Sequence, residues 1–130
     1  MRVNTITALL MGTNSAFSLV HAADPMFEWK TLGRAIYFLH GGTLADRQVP
    51  TQQDRKLSIV IDGQAAKDNF DSIGPDMLET CSGDKGDRTR DKGGIQCTFT
   101  VTDKGTKDGP YRCWIGLDLR TGASVGLVSC

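Results

Sequence analysis

Apolar side chains recur along this chain with two different periods. In residues 56–61, Leu57, Ile59 and Ile61 fall on alternate positions, the period of a strand with one buried face. The next segment changes to a helical period. Ala66, Phe70 and Ile73 recur at i, i+4 and i+7, while Lys67, Asp68 and Asp71 point away, which predicts an amphipathic helix. Asp62 stands where a capping carboxylate would accept free backbone N–H groups, and Gly74-Pro75 supplies the stop.

Further on, Ile95, Cys97, Phe99 and Val101 alternate with Gln96, Thr98, Thr100 and Thr102. After a polar loop over 103–110, Tyr111, Cys113, Ile115, Leu117 and Leu119 alternate with Arg112, Trp114, Gly116 and Asp118. These two runs predict an antiparallel hairpin. Arg120-Thr121-Gly122 then turns the chain into a last short strand over 124–128. Residues 34–40, rich in aromatic and branched side chains and followed by Gly41-Gly42, read as another strand. A helix over 25–40 competes, started by Asp24-Pro25 and ended by the glycines, with Trp29, Leu32, Ile36 and Leu39 on one face. Residues 43–54 and 82–94 read as loops. The expected fold is α+β: a small antiparallel sheet of about four to five strands, one amphipathic helix packed on one face, and two disulfides.

The N-terminus changes the picture by placing the protein. Arg2 is followed by an apolar stretch that includes Leu9, Leu10, Met11, Phe17, Leu19 and Val20, and Val20-His21-Ala22 fits a cleavage site. Residues 1–22 therefore read as a cleaved secretory signal peptide, although Thr13-Asn14-Ser15 dilutes its core. Residues 23–130 read as one disulfide-stabilised domain, periplasmic or secreted. The apolar stretch is too short and interrupted for a permanent span, and no cysteine follows the cleavage site to carry a lipid, so no membrane anchor is expected.

Cys81, Cys97, Cys113 and Cys130 all lie in that domain, and an even count in a short exported chain reads as a disulfide framework. Pairing Cys81 with Cys97 and Cys113 with Cys130 closes two short local loops and is the favoured choice among three. Zinc is disfavoured because every cysteine spacing is sixteen or seventeen residues, without the close pairs of a zinc site.

Charge excludes more than it suggests. The chain carries fifteen basic and fifteen acidic residues, so removing Arg2 leaves fourteen against fifteen, a net of −1. No basic surplus favours nucleic acid. No C-x-x-C pair, G-x-S-x-G elbow or phosphate-cradling glycine loop is present, and no cofactor is expected. His40 is the one histidine beyond the signal, which leaves it without a second histidine for a metal site and reads as a strand-end residue. Asp84, Asp87 and Asp91 lack EF-hand spacing and are interleaved with Lys85, Arg88, Arg90 and Lys92, so metal is not expected there either.

What remains is binding. A disulfide across the charged loop would limit its shapes and lower the cost of ordering it on a partner. Arg88 or Arg90, with Asp87, would then pair with a partner's charges. Trp114, flanked by Arg112 and Asp118 on the polar-alternating face, reads as an interface anchor if exposed and as core if covered. The expected function is a small exported binding protein, an inhibitor or immunity protein that blocks an enzyme or toxin in the envelope, and not an enzyme. Two alternatives stand beside it. One is a hydrolase using carboxylates such as Asp62 or Asp118, which requires both in one cleft. The other is an accessory protein of an envelope complex.

Overall fold

The computed structural model describes residues 29–126. They form β1 (Ala35–Gly42), β2 (Arg47–Gln48), β3 (Lys56–Asp62), α1 (Gly63–Ser72), β4 (Arg88–Asp91), β5 (Ile95–Phe99) and β6 (Tyr111–Asp118). The strands make one antiparallel sheet in the order β2-β1-β3-β6-β5-β4, curled as a half-barrel. The expected signal peptide, cleavage site and Cys130 lie outside the described residues.

Register explains which side chains meet. Ile61 opposes Cys113, which opposes Cys97, and that row lies under α1. Ile61, Ala66, Phe70, Cys97 and Cys113 have no exposure and form the core. Phe70 meets the Tyr111 ring edge-on at 5.3 Å, and Tyr111 leans on Phe99 at 5.1 Å, extending the core toward one end of the sheet. The predicted helix, the β5–β6 hairpin and the strand reading of residues 34–40 all match the structure. β1 runs two residues farther than expected, through Gly41 and Gly42.

Four expectations need correction. The sheet has six strands among the described residues, because β2 and β4 arise inside segments read as loops. Arg88–Asp91 lacks apolar alternation, yet a tight reversal at Gly93-Gly94 lays it against β5, with Lys92 N–H donating to the Ile95 carbonyl at 2.9 Å. The last strand is reduced to one bridge between Leu117 and Ser124 among the described residues. Asp62 sits at the N-cap position but makes no side-chain cap; its carboxylate accepts from Arg112 Nε at 2.7 Å instead.

The fourth correction concerns the disulfides. Cys97 is bonded to Cys113, and this excludes both expected pairings. The physical reason is the hairpin register: the two residues are cross-strand neighbours on the face beneath α1, so each is the other's nearest sulfur. This is the one disulfide seen among the described residues. Cys81 is not free either.

Candidate functional site

The charged segment expected to form a binding loop is tied down from within. Arg88 donates to Asp76 through Nε at 2.7 Å and Nη2 at 3.2 Å, and Arg90 Nε donates to the same carboxylate at 2.6 Å. Arg90 also donates through Nη1 to the Phe70 carbonyl at 2.6 Å, with its guanidinium 4.2 Å from the Phe70 ring centroid. The hydrogen bonds from Arg88 and then Arg90 hold the Asp76 carboxyl below its ordinary range. Asp87 accepts from the Val101 N–H at 2.8 Å and from Ser82 at 2.7 Å, and these bonds lower its carboxyl likewise. Met77 N–H donates to the Thr89 carbonyl at 2.8 Å, so the loop after α1 lies along the outer edge of β4. That edge is charged, bonded and covered, the usual protection of an edge strand.

Arg112 lies at the far end of β6 against Asp62. Asp118 occupies the opposite end of that strand, where its Oδ1 accepts from the N–H groups of Arg120 and Thr121 and forms a turn. Register pairs Asp62 with Arg112 and Lys56 with Asp118, six strand positions away, which is roughly 20 Å of sheet. The two carboxylates share no cleft, and acid–base chemistry between them is excluded by distance.

The other end of the sheet is built differently. β2 pairs only with Gly41 and Gly42, so from Ala35 to His40 β1 has β3 on one side and no strand on the other among the described residues. α1 packs mainly over β6, β3 and β5. Alternation therefore displays apolar side chains on both faces. Tyr37 (73% exposed) and Leu39 (47%) stand on the helix side, and Ile36 (71%) and Phe38 (48%) on the other. On the helix side, Leu39 and Leu119 also flank a shallow depression with Pro50 and Arg55, so the apolar surface runs on past the strand.

On the opposite face, Ile36, Phe38, Leu44, Ser58, Val60 and Trp114 line a cavity of about 330 Å³, together with Tyr37 and with Arg47 at its wall. Trp114 is thus half-buried and faces this space. Gly42 makes the roof possible. It has φ +67°, and a Cβ there would collide with the Asp46 carbonyl as the chain folds back to bring Leu44 over β1. Beneath lies a buried polar pair: His40 Nε2 is 2.7 Å from Ser58 Oγ, and His40 Nδ1 is 3.0 Å from the Gly41 carbonyl. A carbonyl only accepts, so Nδ1 is the donor toward Gly41, while Nε2 and the Ser58 hydroxyl share the second bond. The sequence reading passed over Ser58. The signal was one small hydroxyl interrupting the apolar run of β3.

No protein-family model matches the chain, and comparisons with curated proteins and with solved structures find no match either.

Proposed function

We propose that this chain is a small exported binding protein that takes an extended segment of a partner protein along the open edge of β1. The observation that carries the reading is the contrast between the sheet's two edges. β4 is charged and covered by the Met77 backbone, whereas β1 presents Ile36, Tyr37, Phe38 and Leu39 beside backbone groups that no described strand pairs. An added strand would satisfy those groups, while alternate side chains bury against Tyr37 and Leu39 or Ile36 and Phe38. The four cysteines and the N-terminal segment favour an oxidising compartment, and hence an envelope enzyme or toxin as the partner blocked.

The arginines of β4 enter this reading as fastenings for the covered edge. An accessory role in an envelope assembly draws on the same apolar surface; it differs in that the partner's activity would survive binding.

The test is a paired substitution. Tyr37→Lys with Leu39→Lys removes apolar contact at exposed positions and is expected to abolish partner capture from the envelope fraction with folding intact. Arg88→Gln with Arg90→Gln, which alters the covered edge, is expected to retain capture provided that the variant folds. The opposite pattern would return the contact to the charged segment.

A further inference from the structure

We propose that the cavity between Trp114 and the β1–β2 turn binds a small molecule with an apolar body and a single anionic group, the anion pairing with Arg47. This goes beyond the edge contact, because the ligand is a small anion recognised by Arg47 rather than a protein strand paired with β1.

The first observation is Arg47 itself. Among the described arginines, Arg34, Arg88, Arg90 and Arg112 are bonded to carboxylates, while Arg55 and Arg120 donate to carbonyls. Arg47 alone among them donates to no protein acceptor; its guanidinium lies 5.6 Å from the Phe38 ring centroid, at the wall of the cavity. The neighbouring Asp46 carboxylate is occupied by Gln48 Nε2 at 3.1 Å. A guanidinium held over an aromatic ring keeps N–H donors available, and its fork can recognise a carboxylate in bidentate fashion.

The second observation is the lining. Ile36, Phe38, Leu44, Val60 and Trp114 supply apolar walls, and Ser58 supplies one polar group at the floor. The Ser58 hydroxyl is almost fully buried and lies 2.7 Å from His40 Nε2, so it is engaged within the protein rather than free to oppose an apolar body. A volume of about 330 Å³ lies at the lower end of the range for small-molecule sites, which suits a compact ligand of roughly a dozen heavy atoms. Apolar walls with one unanswered cation at the rim select an aromatic or short aliphatic monocarboxylate over a neutral or cationic analogue.

The test uses the folded protein with three matched probes: 3-phenylpropionate, 3-phenylpropanol and 3-phenylpropylamine. Trp29→Phe leaves Trp114 as the one tryptophan beyond residue 28, so its indole N–H resonance reports the cavity directly. The carboxylate is expected to move that resonance saturably. The alcohol should bind about tenfold more weakly, and Arg47→Gln should weaken the carboxylate by a similar factor without changing the rest of the spectrum. No saturable shift with the carboxylate would overturn the site. Equal binding of acid and alcohol, or an unchanged affinity in Arg47→Gln, would overturn the anion assignment. Because Leu39 does not line the cavity, a Leu39→Lys variant should keep this response even where it loses its protein partner.

Discussion

Cys97 and Cys113 are register partners on β5 and β6, bonded to each other beneath α1 with neither sulfur exposed. The bond staples the hairpin whose inner face is the core, so covalent and apolar constraints act on the same pair of strands.

A non-reducing peptide map is expected to recover Cys97 and Cys113 in one linked product, and Cys81 with Cys130 in the other by exclusion. Linkage of Cys81 to Cys97 would contradict the register. In the chain-entropy picture a loop of sixteen residues is worth on the order of 3 kcal/mol, so Cys97→Ala with Cys113→Ala should lower the urea midpoint clearly.

Phe70 joins the helix to β6 and β4 of the sheet: it is fully buried, meets Tyr111, and carries Arg90 over its ring. Phe70→Ala is expected to cost about 3–5 kcal/mol, a large share of the roughly 5–15 kcal/mol that holds a domain of this size. Equilibrium urea unfolding checks it. A loss under about 1 kcal/mol would mean that the core is centred elsewhere.

Acid should loosen the fastening of β4. The Asp76 carboxyl is lowered from 3.8 by its hydrogen bonds to Arg88 and then Arg90. A folded pKa below the unfolded one contributes stability that is complete above the unfolded value and is lost as pH falls through the folded one. Asp54, Asp68 and Asp87 are lowered too and act in the same direction. The urea midpoint of the wild type should therefore fall below about pH 4. Asp76→Asn should start lower at neutral pH and fall less steeply. Identical acid slopes in the two proteins would show that Asp76 contributes nothing to the transition.

The turn at Gly42 is a stricter constraint. Its φ of +67° and the close approach of the Asp46 carbonyl leave no room for a Cβ. Gly42→Ala is expected to destabilise by about 1–3 kcal/mol and to displace Leu44 from the cavity roof. Unfolding midpoints and the Trp114 indole resonance would report the two effects separately.

The elements readable from the sequence are those whose burial imposes a period. Leu57, Ile59 and Ile61, the helix through Ala66 and Phe70, and the runs on β5 and β6 each bury one face, so their patterns carry the fold. Arg88–Asp91 carries no such pattern, because its outward bonds go to Asp76 and to the Met77 backbone rather than to a core. Disulfide pairing followed from the hairpin register, and two alternating runs do not fix their register without the length and shape of the loop between them. His40 and Ser58 meet across two strands eighteen residues apart, so neither residue announces the other. The open edge of β1 was hidden for a related reason. An exposed apolar strand and a buried one share a composition, and only the absence of a described neighbour separates them.

The most direct measurement places a photoactivatable phenylalanine at Tyr37 on the open edge and, in a second protein, at Asp91 on the covered one. Irradiation in the cell envelope is predicted to give one discrete adduct from position 37 and none from position 91. An adduct from position 91 with none from 37 would contradict the account and return the binding surface to the charged strand.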